Sequence, residues 1–107
     1  MLAELTIIPL GVGDHLSRPL AEVLDLIDRS GVRYKLTPTG TCLEGNWEEV
    51  MSLVAACHAR AREMSKHVFT TVRIEDEEGT DNKLVDNITS IEEKLARPLA
   101  KSGGIAR

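Results

Sequence analysis

The stretch Val32–Val50, VRYKLTPTGTCLEGNWEEV, combines the signals for two strands, a tight turn and the start of a helix. Residues 32–37 alternate apolar and polar side chains, which is the period-two pattern of a strand with one buried face. Pro38 and Gly40 predict a turn, and residues 41–44 predict the returning strand. The stretch therefore predicts a β-hairpin that leads directly into a helix.

A helix is predicted after this hairpin, because Gly45 ends the second strand and a capping pattern follows it. Asn46 and Glu49 are three residues apart, the spacing at which the two side chains satisfy each other's free backbone N–H groups. We expect the helix to continue to about Met64. Its predicted inner face consists of Trp47, Val50, Val54, Cys57, Ala61 and Met64.

The residues before the hairpin predict a strand and a helix. Residues 2–8 are apolar and partly β-branched, and Pro9 and Gly11 predict the loop that ends this strand. Ser17 is a suitable cap for a helix that Gly31 ends. The helically spaced apolar positions of this segment are Leu20, Val23, Leu24 and Ile27.

The residues after the second helix predict a last strand, a loop and a third helix. Residues 67–75 are rich in β-branched side chains and alternate in polarity, as a half-buried strand does. The acidic segment EDEEGTDN, residues 75–82, predicts a loop in which Asp81 or Asn82 caps a helix that Pro98 ends. The apolar positions of this helix are Leu84 or Val85, Ile88, Ile91 and Leu95.

The predicted order of elements is β-α-β-β-α-β followed by an additional C-terminal helix. This order is typical of the α+β class, as a ferredoxin-like split βαβ sandwich with one four-stranded antiparallel sheet. The 107 residues suit a single domain, which we expect over residues 1–99, with a flexible tail at 100–107. Two helices cover one sheet face, so we expect the open face to form a homo-oligomer, either a dimer or a tetramer.

Composition narrows the classes of partner. The chain is 42% hydrophobic and 28% charged, with a formal net charge of -4 and scattered basic residues, which argues against a nucleic-acid partner. No apolar run reaches the roughly 20 residues of a membrane helix, and no leader pattern follows Met1, so we expect a cytoplasmic protein without a membrane partner. Cys42 and Cys57 are expected to be free thiols.

The open sheet face is predicted to carry polar side chains. Strand alternation assigns to this face Thr6, Lys35, Thr37, Phe69, Thr71 and Arg73. Hydroxyl groups beside an aromatic ring are typical of a ligand or partner surface, although a single threonine is more often simply a good strand residue. Glu44 has two interpretations at this stage, as a carboxylate that stabilises a helix N-terminus or as a hydrogen-bond acceptor for a ligand.

Several segments together resemble a known family. PLGVG at residues 9–13, YKLTPTGTCLEGNWEEVM at 34–51 and a strand before a final helix resemble the small ferredoxin-like thiamine-binding proteins. These are related to tandem-domain proteins that bind thiamine and hydroxymethylpyrimidine. The resemblance extends to about Leu99 and implies a homo-oligomer with its sheets packed face to face. It further implies that thiamine, or its hydroxymethylpyrimidine moiety, is bound without chemistry near a subunit interface, for a carrier, store or sensor role.

The resemblance also implies site residues. Transferred residue by residue, it indicates Thr41 and Glu44 as ligand contacts, with Pro9 and Gly11 shaping the neighbouring loop. Family members often carry a basic run after the last strand, whereas residues 75–82 are acidic here, which favours an unphosphorylated ligand. The full predicted ligand-binding set is Thr41, Glu44, Thr6, Pro9, Gly11, Thr37 and Phe69.

The chemistry of such a ligand is compatible with these residues. An aminopyrimidine offers an amine and ring nitrogens to a carboxylate and hydroxyls, and a cationic thiazolium favours an aromatic face. Phe69 is the stacking candidate, because Trp47 at a helix start is more often a core anchor. Thr41 and Glu44 are three positions apart, so in a regular strand their side chains point to opposite faces of the sheet. Both can contact one ligand only if a bulge or the end of the strand turns one side chain toward the other face.

Three alternatives compete with this interpretation. An acylphosphatase-like enzyme would use the glycines and Arg18 of residues 11–18, but the strand asparagine is missing and Asp14 would repel phosphate, so we expect no enzyme. A metal site or other cofactor is not expected, because no metal-ligand spacing occurs among His15, Cys42, Cys57, His58 and His67. The third alternative is an assembly or regulatory module that uses the open sheet face for protein contacts.

Overall fold

The computed structural model describes residues 1–13 and 16–101, within which four strands and three helices follow one another. The strands are β1 (Leu2–Leu10), β2 (Arg33–Thr37), β3 (Gly40–Glu44) and β4 (His67–Glu75), and the helices are α1 (Ser17–Arg29), α2 (Trp47–Met64) and α3 (Lys83–Leu95). The predictions made for Asp14, for His15 and for residues 102–107 of the tail lie outside the described residues.

The sheet has the strand order β2-β3-β1-β4, and every neighbouring pair is antiparallel. Helices α1 and α2 pack against each other and against one face, and α3 contacts β3. The predicted ferredoxin-like α+β fold with a C-terminal helix is confirmed. In the register, Leu5 pairs with Thr41, and Leu2 pairs with Glu44.

The core lies between the sheet and the two covering helices. Alternate residues of β1 point into it, and the apolar stripes of α1 and α2 meet them, as the period-two and helical patterns predict. The buried apolar residues are Ala3, Leu5, Ile7, Val23, Ile27, Leu43, Val50, Leu53, Val54, Cys57 and Ala61. Truncating Ile27 to alanine in such a core costs about 2–5 kcal/mol of unfolding free energy.

Helix α2 begins with the predicted capping box. The Glu49 N–H donates to Asn46 Oδ1 at 2.8 Å, and the Asn46 N–H donates to Glu49 Oε1 at 3.1 Å. The prediction that Trp47 lies on the inner face is wrong, because this side chain is 54% exposed. Side chains of a helix lean toward its N-terminus, so the side chain of the first helical residue projects beyond the part of the helix that packs on the core.

Strand β1 continues two residues beyond its predicted end at Ile8. Strand β4 supplies the partners, since Pro9 pairs with Val68 and Leu10 pairs with His67. The register with β3 stops at Leu5, so this end of β1 has a neighbour on one side only. A proline is tolerated in such a position because no ladder hydrogen bond is needed on the free side.

Candidate functional site

The main candidate site is a cavity of about 500 Å³ between α1, the β2–β3 hairpin and β1, here called the α1–hairpin cavity. Its lining residues are Leu5, Thr6, Ile7, Ile8, Ser17, Leu20, Ala21, Val23, Leu24, Ile27, Leu36, Thr37, Pro38, Thr39, Gly40 and Thr41. These described lining residues are apolar or carry only hydroxyl groups, and none of them is charged. The volume and the mainly apolar wall are those of a site for a small neutral molecule.

The shape of the cavity follows from the unequal lengths of β1 and β3. Strand β3 begins at Gly40, opposite Thr6, so Ile7 and Ile8 have no partner on that side of β1. The sheet therefore has a notch beside the hairpin turn. Through this notch, Thr6 and Thr37 of the open face and Thr41 of the helix-covered face line the same cavity.

Gly40 allows the hairpin to lie close to β1 at the notch. A Cβ atom at this position would lie 3.0 Å from the Leu5 carbonyl oxygen and 3.1 Å from Thr6 Oγ1. Both distances are shorter than ordinary van der Waals contact, so a side chain here would push the hairpin away from β1. The glycine thus fixes one wall of the α1–hairpin cavity.

The hydroxyl of Thr41 is the polar group of the cavity with the greatest capacity for a ligand. The residue is 4% exposed, yet its side chain forms no hydrogen bond within the described residues. No fully buried side-chain oxygen or nitrogen of those residues lacks a partner, and Thr41 is one of the residues that line the cavity. A buried hydroxyl without a protein partner gains most from a ligand that supplies one.

Two further hydroxyls of the cavity are only partly used. Thr6 donates to the Thr39 carbonyl oxygen at 3.4 Å, which is long for an O–H···O hydrogen bond. Thr37 donates to the Gly40 carbonyl oxygen at 2.9 Å and keeps its lone pairs free to accept. The cavity therefore offers both donors and acceptors to a heteroaromatic ring.

Glu44 lies on the opposite sheet face from Thr41, because the β1–β3 register is regular and contains no bulge. Its carboxylate is buried and accepts hydrogen bonds from the backbone N–H groups of Lys83 at 2.6 Å and Leu84 at 3.3 Å. Arg33 Nη1 lies 3.3 Å from the same carboxylate. Glu44 therefore caps the N-terminus of α3, and the structure does not bring it together with Thr41.

The contact between Glu44 and the first N–H groups of α3 accounts for where this helix begins. Asn82 precedes the helix but its side chain makes no capping hydrogen bond, contrary to the capping role considered from the sequence. Instead, Arg33 Nη2 donates to Asn82 Oδ1 at 2.8 Å, while Glu44 satisfies the first free N–H groups. A carboxylate at a helix N-terminus also interacts favourably with the helix dipole. The sequence interpretation of Glu44 as a dipole partner fits this arrangement, with α3 as the helix concerned.

The other predicted ligand residues lie outside the α1–hairpin cavity. Phe69 is exposed on the open face, where its ring centroid is 5.2 Å from that of His67. Pro9 is buried within β1, and Gly11 adopts a φ of 73° just after that strand, a conformation that favours glycine. Of the predicted set, the structure brings the three threonines together. Sequence reasoning missed Thr39 and Ser17, which share the cavity with them.

The cysteine and histidine side chains of residues 1–13 and 16–101 that could carry chemistry lie outside the α1–hairpin cavity. No group of three or more His, Cys, Asp or Glu side chains in these ranges could hold a metal ion. Cys42 and Cys57 are both free thiols, and burial raises the pKa of Cys57 to about 11. His58 Nδ1 lies 2.6 Å from Thr70 Oγ1 and links α2 to β4.

Comparison with known families adds an independent line of evidence. Residues 3–92 match the sequence model of a family described as thiamine-binding protein. The chain belongs to this family. The matched range contains every described residue of the α1–hairpin cavity, together with Glu44 and its partners in α3.

Two relatives are similar to this chain over nearly its whole length. A UPF0045 protein from Methanothermobacter thermautotrophicus is 36% identical over 96 residues, which are 87% of this chain and 97% of the relative. The UPF0045 protein YqgV from Bacillus subtilis is 28% identical over 100 residues, covering 88% of this chain and 96% of the relative.

Solved structures of similar proteins share the fold. A hypothetical protein from Methanocaldococcus jannaschii superposes with a TM-score of 0.79 at 23% identity, covering 86% of this chain and 95% of its own. A proposed thiamine biosynthesis/salvage protein from Thermotoga maritima superposes with a TM-score of 0.70 at 21% identity, covering 89% and 94% respectively. At these identities, the likeness supports the fold.

Within the described ranges, no helix has the length and apolarity needed to cross a membrane.

Proposed function

We propose that this chain binds thiamine or its hydroxymethylpyrimidine moiety in the α1–hairpin cavity, as a cytoplasmic carrier, store or sensor. The observation that carries this proposal is the buried Thr41, which lines a cavity without charged groups among its described residues and whose hydroxyl has no hydrogen-bond partner within the described residues. Membership of the thiamine-binding family supports the class of ligand.

The lining of the cavity suits the pyrimidine half of the ligand. A flat ring packs against the apolar side chains of α1 and β1, and its ring nitrogens and amino group pair with the hydroxyls of Thr6, Thr37 and Thr41. The described lining offers no carboxylate to a thiazolium and no cation to a phosphate. The thiazolium therefore lies toward the mouth of the cavity, and unphosphorylated ligands bind better than the diphosphate.

The same lining explains why the proposed role is binding rather than catalysis. The described cavity residues include no histidine, carboxylate, cysteine or lysine that could act as a general base or an activated nucleophile. Hydroxyls without such a neighbour are weak nucleophiles, so the bound molecule is held without being changed.

A homo-oligomer, dimer or tetramer, is proposed to form through the open sheet face. Ile8 and Phe69 are exposed there, on adjacent strands and directly paired in the register. Apolar side chains grouped in this way are typical of interaction surfaces. Because the notch opens onto the same face, this assembly would bring the α1–hairpin cavity near a subunit interface, where Phe69 becomes available to the ligand.

The exposed Ile8 and Phe69 also favour the second candidate function, an assembly or regulatory module without a ligand. Both candidates predict oligomers, so light scattering of the purified protein does not separate them. Ligand binding does, because a pure assembly module has no use for a neutral cavity with a partnerless hydroxyl.

Isothermal titration with hydroxymethylpyrimidine, thiamine and thiamine diphosphate tests the proposal, using Thr41→Val as the variant. Valine preserves the shape of threonine and removes only the hydroxyl, so the fold is retained and affinity for both unphosphorylated ligands falls about tenfold. Thr80→Val is the matched control, since Thr80 is exposed in the loop before α3 and lies neither on the sheet nor in the cavity. Absence of saturable heat with all three ligands would reject the thiamine proposal and favour the assembly module.

A further inference from the structure

A second cavity, of about 430 Å³, lies between the open sheet face and α3, here called the α3 cavity. Its lining residues are Leu2, Lys35, Thr37, Cys42, Lys83, Leu84, Asn87, Ile88, Ile91, Leu99, Ala100 and Lys101. It shares only Thr37 with the α1–hairpin cavity. The two cavities therefore lie on opposite sides of the hairpin.

The charged side chains among the described residues that line the α3 cavity are lysines, and two of the three are already ion-paired. The protein has 17 acidic and 13 basic residues, yet the described lining contains three lysines and no carboxylate. Lys83 Nζ is 3.1 Å from Glu77 Oε1, and Lys101 Nζ is 2.6 Å from Glu92 Oε2. No carboxylate among the described residues forms an ion pair with Lys35. This half-buried ammonium group is therefore available to an anion.

The opposite wall of the α3 cavity is apolar. Leu84, Ile88 and Ile91 follow one another at helical spacing along α3, and all three line the cavity. No residue of α3 is buried in the core, so this apolar stripe borders the cavity instead of filling it. Leu2 of β1 and Leu99 beyond α3 complete the apolar surface.

The cavity is preformed because α3 is fixed at its N-terminus. Glu44 binds the first N–H groups of the helix, and Arg33 links Glu44 to Asn82. These contacts hold the apolar stripe of α3 at a set distance from β2 and β3. A ligand that enters does not have to order the helix, which lowers the free-energy cost of binding.

We propose that the α3 cavity binds a small organic carboxylate, with its apolar body against the stripe of α3 and its carboxylate on Lys35. Charge complementarity decides this class of occupant, since the ammonium group of Lys35, which forms no ion pair with a described carboxylate, lies beside an apolar wall and suits a molecule with one anionic end. A lysine ammonium is a flexible point charge and accommodates a carboxylate without a fixed geometry. This site shares Thr37 with the proposed thiamine site, but the proposal does not depend on ligand binding there.

Titration of the full-length ¹⁵N-labelled protein with octanoate, followed by NMR, tests this site. Octanoate is expected to shift the amide signals of Lys35, Cys42 and Ile88, and 1-octanol, which has the same chain without the charge, is expected to bind at least tenfold more weakly. Lys35→Gln should weaken octanoate about tenfold. Lys94→Gln is the matched control, because Lys94 is an exposed lysine of α3 outside the cavity.

Three results would overturn the proposal. Equal affinities for octanoate and 1-octanol would show that charge plays no part. An unchanged affinity in Lys35→Gln, with the fold verified by its spectrum, would exclude the assigned cation. Absence of shifts at the cavity, in a protein whose sedimentation shows a dimer that also buries this face, would show that a second copy is the occupant instead.

Discussion

Replacing Glu44 with glutamine separates the two roles that the sequence allows for this carboxylate. In the structure, it accepts hydrogen bonds from two backbone N–H groups of α3, at 2.6 Å and 3.3 Å, and lies 3.3 Å from Arg33. Glutamine keeps one acceptor oxygen, and its amide nitrogen takes the place of the other oxygen. One N–H group at the helix start therefore loses its acceptor, and the helix dipole loses its negative partner.

The cost of this substitution follows from these contacts. A buried donor left without an acceptor costs about 1–3 kcal/mol. The lost charge at the helix N-terminus adds about 0.3–1 kcal/mol. The contact with Arg33 adds less than about 1 kcal/mol, because that side chain is half exposed. The expected loss is about 1–5 kcal/mol, and it acts on α3, which buries no side chain in the core.

Amide hydrogen exchange is the assay, because it reports the opening of α3 separately from global unfolding. Exchange across Lys83–Leu95 should accelerate in Glu44→Gln, while exchange in β1 and α2 changes less. Glu48→Gln is the control, an exposed carboxylate in the first turn of α2. Unchanged exchange in α3 together with weaker binding of hydroxymethylpyrimidine would refute the capping role and assign Glu44 to the ligand.

Two further predictions concern the notch and the core. Gly40→Ala places a methyl group 3.0 Å from the Leu5 carbonyl oxygen, so the cavity wall shifts and affinity for hydroxymethylpyrimidine, measured by titration calorimetry, falls by about 1–2 kcal/mol; unchanged affinity would contradict the assigned site. Burial raises the pKa of Cys57 from 9.0 to about 11, so the unfolded chain releases the thiol proton first as the pH rises. The unfolding free energy in urea should therefore drop between pH 9 and 11, by up to about 3 kcal/mol. This pH dependence should be much smaller in Cys57→Ala and should largely persist in Cys42→Ser, because burial raises the pKa of Cys42 as well but to a lesser extent.

The fold could be predicted from the sequence because its signals are local. Alternation in the strands, the Pro38 and Gly40 turn and the Asn46 capping box each specify their own element. Errors arose where local signals meet tertiary structure, and Ser17, expected to cap α1, is instead the first helical residue and forms no capping hydrogen bond. Pro9 was expected to end β1, but β4 pairs with Pro9 and with Leu10 beyond it. Trp47 has the helical spacing of the buried residues of α2, but it lies at the start of the helix, beyond the core, and is exposed.

The candidate site could be predicted only in part. Thr6, Thr37 and Thr41 were each identified, but their common cavity depends on β3 beginning opposite Thr6, which is a matter of register between strands. The capping of α3 by Glu44 joins residues 39 positions apart in sequence, so no local pattern contains it. The expected cap, Asn82, is instead bound by Arg33.

Strand β3 has only five residues, and its alternate side chains serve opposite faces of the sheet. Thr41 borders the α1–hairpin cavity, Cys42 borders the α3 cavity, and the last residue of the strand anchors α3. The short strand β3 therefore forms a wall of both the α1–hairpin cavity and the α3 cavity. Any displacement of β3 that enlarges one cavity changes the other, so the two faces of this small protein do not vary independently in structure.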